Sequence, residues 1–556
     1  MQPGTIGSVR GETRLLTARI PAPPPSARRR WSRSFTPSAL FLCALFVTTI
    51  PASADVRRQS AAPGVEGPPA LQSAALLVQQ GQLDEAELQA RRALADPATR
   101  AAAYSVLGTI SFQQKRFADS IILFKQAIRL DDHLVGAHLS LADVYTLQGK
   151  PALARPLFER VLQLDPSNVA ARLALARSET EKGNYQRSLE LAAPTMTAFK
   201  QSVEGLFVLA ADFLSTGNRT AAVALTSDWA RLEDVPRDSA IRFGVLFATH
   251  GAAPEAIAIL ERIRESSPSY EVAFNLAGAY LLNDDPARAL DNYDAALALK
   301  PDSIPALRQA ATVAERRGEL ERSLSYWIRA KKIEPEDAEI LLGFGRVCLR
   351  MDLLEDAEPA LIMAASLKPD DPACQYTLAA AKVGKRQFEA ARRILEHLVD
   401  KQGGDPQLQY ALGSILYLEG HLNEAAAHLR ESLRLQPQQL ASHYYLALVV
   451  RDQGNDAEAI LILEKLLQRA PDHAASNEAL GGLLMSAQRY EEAERHLRNA
   501  IRLNPKSVKA NYALGLLLAR TGRKDEADRQ LAVAKSLREE DEASSRLQLR
   551  LLDPGQ

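Results

Sequence analysis

Between about residue 67 and residue 541 the arrangement of small, large apolar and polar side chains repeats every 34 residues, with units starting at 67, 101, 135, 169, 203, 237, 270, 304, 338, 372, 406, 440, 474 and 508. Only the sixth unit is one residue short. Two positions in each unit are always small. Position 8 (Ala74, Gly108 and Ala142 through to Gly515) and position 20 (Ala86, Ser120 and Ala154 through to Ala527) hold Ala, Gly or Ser in all twenty-eight cases. Composition alone does not arrange that in phase. Large residues stand around these points, with Leu at position 7 in ten units, such as Leu141 and Leu412, and Phe, Tyr, Trp or Leu at position 24 in eleven, such as Phe124, Tyr293, Trp327 and Leu429. The pattern predicts two antiparallel helices per unit, crossing closely where a side chain is nearly absent. Pro at position 32 in eight units, among them Pro166, Pro301 and Pro505, stops the second helix because it lacks an N–H and fixes φ. Ser167 with Asn168, or Asp370 with Asp371, then stands ready to cap the helix that follows.

In the unit at 135, His138, Leu141, Ala142, Tyr145, Ala154, Phe158 and Pro166 follow the pattern W-x2-L-G-x2-Y, A-x3-F, P. The chain therefore resembles a tetratricopeptide repeat protein over about 475 of its 556 residues. The resemblance implies an all-α fold, a right-handed superhelical solenoid of helix-turn-helix repeats with a concave groove lined mainly by the first helix of each pair. Four units depart from the pattern. The fourth and fifth, 169–236, lack Pro at position 32 (Lys200 and Asp234) and carry Ala192 and Thr226 at position 24, which predicts weaker packing and a hinge. The first lacks large residues and reads as a fraying or capping unit, and the tenth ends in Gly403 and Gly404. Residues 542–556, with Leu547, Leu549, Leu551 and Leu552, read as a capping helix and tail, and residues 55–66, rich in Pro, Ala and Gly, as a flexible linker.

The amino-terminal segment is different material. Residues 1–54 carry seven Arg and one Glu, a balance of +6, which leaves −7 on residues 55–556. Arg28, Arg29, Arg30 and Arg33 precede an uncharged apolar run from Ala39 to Ile50, then Pro51 and the small residues Ala52, Ser53 and Ala54. That order is the n-region, h-region and A-x-A site of a signal peptide, with twin-arginine export a minor alternative. The apolar run falls well short of the roughly 20 residues that span a bilayer. The expectation is a signal peptide over 1–54, cleaved after Ala54, and an exported protein, periplasmic or secreted, with no stable membrane span. The alternative is tethering to an inner membrane by an uncleaved signal. Cys348 and Cys374 fall too far apart along neighbouring helices to be bridged, so two buried thiols are expected.

Composition narrows the chemistry. A net charge of −1 and 6% aromatic residues argue against a nucleic-acid surface. Outside the repeats too little chain remains for a catalytic domain, and no phosphate-binding loop, nucleophile elbow or H-E-x-x-H motif occurs. His421, His428, His443 and His473 lie close in sequence but without ligand spacing. The sequence therefore points to no enzyme, no cofactor and no metal, and leaves binding. In tetratricopeptide repeats the groove is typically contacted by positions 2, 5, 9, 12 and 13. The resemblance thus marks Phe207, Phe274, Tyr376, Tyr410, Tyr444 and Tyr512 at position 5, with Tyr417 and Arg451 at position 12, as groove candidates. Tyrosine suits peptide recognition, although rings here also serve structural packing. Arg308, Arg316, Arg346 and Arg350 form a basic group at positions 5, 13, 9 and 13, with Glu315 and Glu339 nearby. Guanidinium forks of this kind hold carboxylates, so acidic segments of partner proteins, or an anionic glycan, are the ligands they suggest. Two family mechanisms are absent: position 9 never holds the Asn of a carboxylate clamp, and only Asn275 stands where an asparagine ladder needs one. The function expected is a noncatalytic protein-interaction scaffold in a bacterial envelope assembly, with a polysaccharide-handling module as alternative.

Overall fold

Helices begin where the 34-residue phase places them. The computed structural model describes residues 69–551 apart from 234 and 403, with side chains as far as 540. Among these residues there is no strand, and twenty-eight helices alternate as first and second members of pairs, which suits about fourteen repeats. First helices include Val135–Leu147, Ile304–Arg317, Ala338–Arg350, Pro372–Gly384, Pro406–Glu419 and Val508–Arg520. Side-chain caps hold several of them. Asn168 accepts from the Ala171 N–H, Asp337 from Glu339 and Ile340, and Ser507 from Ala510, each satisfying donors that a helix start leaves open.

The turn inside every unit needs one left-handed residue, and it always falls at position 15. Nine of these are glycines, such as Gly149 (φ 66°), and five are Lys115, Asp284, Asp352, Arg386 and Gln488 (φ 57° to 62°). Beyond the turn, the second helix lays its position-24 side chain onto position 8 of the first. A Cβ on Gly108 would stand 2.8 Å from the Phe124 ring, and one on Gly345 2.5 Å from Leu361 Cγ. The small residues of position 20 are sealed as completely, Ala357 and Ala425 having no exposed surface. Repeats also lock to their neighbours: a Cβ on Gly343 would lie 2.3 Å from Trp327 of the preceding second helix, Leu320–Ile333.

Contacts divide the described chain into two units, one ending at Val313 and the other beginning at Ala314. In the first, the stretch 169–236 departs from expectation. Pro194 breaks the second helix of its unit into Tyr185–Ala192, a 3-10 turn over Ala193–Thr195, and Met196–Lys200, as a ring that cannot donate should. Packing there is nevertheless closed. Phe199 is fully buried, and Trp229 stacks on Phe243 with ring centroids 3.8 Å apart, so large rings join Ala192 in one core there. A second correction concerns the carboxyl end. Residues 542–551 do not form a separate capping helix but continue Lys524–Leu551, a single helix of 28 residues, because nothing in that stretch breaks it. The signal segment 1–54, the linker 55–66 and residues 552–556 lie outside the described residues. No helix among the described residues is long and apolar enough to cross a membrane.

Candidate protein-binding groove

Each first helix contributes positions 5, 9 and 12 to one face. In the unit ending at Val313, Phe207 is half-buried with the Arg242 guanidinium 4.9 Å above its ring. Phe274 is buried, between Tyr270 and Tyr293 at 5.7 and 5.6 Å. Arg308 is half-buried.

In the unit beginning at Ala314 the aromatic line is a packed cluster. Tyr410 and Tyr444 are buried and meet Tyr445 edge to face at 5.8 and 5.5 Å. Phe274, Tyr410 and Tyr444 are thus not available groove rings. The correction has a geometric cause: Tyr410 leans onto Tyr445 of the next repeat's first helix, while Phe274 and Tyr444 are closed in by rings of their own repeats, Tyr293 and Tyr445. Tyr376 and Tyr417 remain half-buried. Gln407 Nε2 donates to the Tyr376 hydroxyl at 3.1 Å, and burial pushes that phenol's pKa up. Tyr417 donates to Asp452 Oδ2 at 3.0 Å, while half-buried Arg451 donates Nε to Asp452 at 2.7 Å. Tyr512 is 53% exposed.

The basic group resolves into a triad. Glu315, 8% exposed, receives Arg346 bidentately, Nε to Oε1 at 2.9 Å and Nη2 to Oε2 at 2.7 Å. Arg350 gives only Nη1, to Glu315 Oε1 at 3.3 Å and to the Glu315 carbonyl at 3.1 Å. Arg316 is exposed one residue further on, and Glu339 is held by Lys368 at 3.2 Å. Sequence reasoning noticed Glu315 as a neighbour but not that it occupies the Arg346 fork. Arg346, Arg350 and Glu315 together carry a net +1, with the Arg346 fork filled by the carboxylate.

Between the triad and Tyr512 the charged groove positions are paired, Arg451 with Asp452 and Glu478 with Lys509, and position 9 carries no charge. Position 9 runs Ala380, Ser414, Leu448, Gly482 and Leu516, and a Cβ on Gly482 would meet nothing within 4 Å. Beside Ala380 lies a cavity of about 20 Å³ lined by Tyr376, Ala379, Val383, Ala411 and Ile415.

Among the described residues the thiols are buried and several imidazoles serve as packing or capping groups. Cys348 and Cys374 are free and buried, and burial pushes the Cys348 thiol up to about 12. His428 Nδ1 meets Gln409 Oε1 at 2.7 Å, His496 Nδ1 meets Asn477 Oδ1 at 2.9 Å, and His473 caps the helix Ala474–Ser486 through Ser476. Among the described residues no group of three His, Cys, Asp or Glu is placed to hold a metal.

Profiles described as tetratricopeptide repeat match residues 71–134, 241–304, 376–439, 419–474 and 479–534, and a second profile of the same description matches 145–204. The chain belongs to the tetratricopeptide repeat family. It is 31% identical over 150 residues to the general transcriptional corepressor ssn6 of Schizosaccharomyces pombe, a match covering 26% of this chain and 13% of that protein's length. Among solved structures it is similar to the APC/C heterotetramer Cut9–Hcn1, at 14% identity and TM-score 0.39, covering 82% of this chain and 98% of that one. A tetratricopeptide repeat protein from Parabacteroides merdae matches at 18% identity and TM-score 0.38, over 45% and 98%. Yeast Tom70 matches at 14% and 0.34, over 80% and 97%. Proteins of this repeat fold are typically noncatalytic interaction scaffolds.

Proposed function

We propose that the chain is a noncatalytic scaffold whose unit from Ala314 onward binds segments of partner proteins along the face of its first helices. The observation that carries this reading is the uncharged stripe of position 9 between the Arg346–Arg350 triad and exposed Tyr512, along which Tyr376, Ala380, Met485 and Leu516 are each only half-buried. Apolar surface that no described helix covers, bounded by polar groups, is what a partner segment buries. Acidic segments are the finer candidate, because the triad keeps a net positive charge. A glycan is less suited, since Tyr410 and Tyr444 have no ring face left for a sugar. Export to a bacterial periplasm or envelope is supported by the arginines before Ala39–Ile50 and by the A-x-A site at Ala52–Ala54.

The test is crosslinked capture of the tagged full chain in its native cells beside a Met485→Arg/Leu516→Arg variant with an unchanged helical melting curve. A discrete set of proteins lost in the variant is expected. A set that the variant leaves intact overturns the groove. Mature protein beginning at Asp55 in an envelope or secreted fraction is the expected mark of export, and full-length protein confined to the cytoplasm overturns it.

A further inference from the structure

Two features of this groove point at the same ligand. The first is Arg350. Its Nη1 is engaged by Glu315, while its Nε and Nη2 donate to nothing among the described residues, and its side chain is 35% exposed. Arg346 spends its Nε–Nη2 fork on the same carboxylate, so Arg350 is the arginine of the triad that presents an uncommitted Nε–Nη2 fork, with a surplus positive charge behind it. A planar carboxylate is the group that such a fork fits. Lys368 already neutralises the nearby Glu339, so that acid is paired.

The second feature is the cavity at Ala380. At about 20 Å³ it has room for a water or a methyl group. Its walls are aliphatic apart from Tyr376, whose hydroxyl accepts from Gln407 and keeps one O–H to donate. A water there finds at most that single polar partner, short of the two to four that hold one, so a methyl-bearing side chain displaces it favourably. The triad sits between the first helices Ile304–Arg317 and Ala338–Arg350, and the cavity between Pro372–Gly384 and Pro406–Glu419. Those junctions are two helix-to-helix steps apart, roughly 16–20 Å at the usual packing distance. An extended chain covers that in about five or six residues.

We infer that this end of the groove takes an extended peptide bearing an Asp or Glu side chain, held by Arg350, and a small aliphatic side chain five or six residues away, seated at Ala380. The inference rests on the scaffold reading above and adds the chemistry of the partner. The carboxylate supplies the salt-sensitive part of the affinity, and the aliphatic contact the salt-insensitive part.

Selection of a displayed random decapeptide library on the immobilised full chain tests it. Enriched peptides should pair an acid with Ala, Val or Ile at that spacing. A synthetic copy should bind at least tenfold more weakly to Arg350→Ala, which leaves the Arg346–Glu315 pair in place, and to Ala380→Leu, which fills the cavity. Ala380→Val serves if the leucine lowers the melting temperature. The copy with its acid changed to Gln should no longer distinguish Arg350→Ala from the parent. Peptides that enrich and are lost in Met485→Arg/Leu516→Arg, but lack the pair or ignore Arg350→Ala, overturn this inference and leave the scaffold standing. A library from which nothing enriches overturns both.

Discussion

Lys115, Arg386 and Gln488 hold left-handed backbone that their side chains disfavour. Nine other units meet the same demand with glycine, so Arg386→Gly or Gln488→Gly should raise stability by about 0.5–1 kcal/mol, seen as a higher urea midpoint. Position 15 was not legible in the sequence because five units break the glycine pattern. The small residues of positions 8 and 20 were legible because sterics there admit no exception. Asp212 carries a second residue-scale prediction. It is fully buried, accepts from Thr180 Oγ1 at 2.8 Å, and its Oδ2 has no partner in the described structure. Burial pushes its pKa up to about 6 from the ordinary 3.8, against the pull of hydrogen bonds from Ser188 and Thr180. The folded state therefore holds the extra proton between those values, and stability falls as pH rises through that window. Asp212→Asn should be more stable than the parent at pH 7.5, by on the order of 2 kcal/mol, with the gap closing near pH 4. Equal urea midpoints at pH 7.5 would contradict the raised pKa.

Within a helix pair, one polar contact recurs at positions 4 and 23: Gln409 with His428, Asn477 with His496, and Asn511 with Gln530. Burial lowers the pKa of both histidines below the usual 6.5. A base whose folded pKa is depressed lends stability above its unfolded pKa and loses it as pH falls. Gln530 shows that an amide suffices, so His428→Gln/His496→Gln should lose less of its urea midpoint than the parent between pH 7.5 and 5.5. Overpacking gives the complementary test of the helix crossing. Ala425→Phe should cost about 1–3 kcal/mol, and an unperturbed melting curve would place Ala425 elsewhere. Helix boundaries were readable at this scale from Pro and from Asp or Asn caps. The fate of position 5 was not. A tyrosine there serves equally as groove wall or as inter-repeat packing, and only the neighbouring Tyr445 decides that Tyr410 and Tyr444 are interior.

Across the whole chain, stability is a sum of repeats and their nearest-neighbour contacts. The damage from Ala425→Phe should accordingly stay local. Hydrogen exchange is expected to quicken in residues 372–470 and to remain unchanged in 135–200, whereas uniform loss of protection would show a single cooperative body. The 34-residue period announced the architecture, because each repeat solves the same packing problem. It was silent on the division at Val313 and Ala314, which follows from contacts summed over many residues. That division has a spectroscopic consequence. Trp229 lies in the first unit and Trp327 in the second, 7% and 4% exposed, and the third tryptophan, Trp31, belongs to the amino-terminal segment. With Trp31→Phe in both, Trp327→Phe leaves fluorescence that reports the first unit alone, and Trp229→Phe leaves emission from the second. Their red shifts in urea are expected at two distinct midpoints, so the protein carries its own pair of optical probes, one for each half.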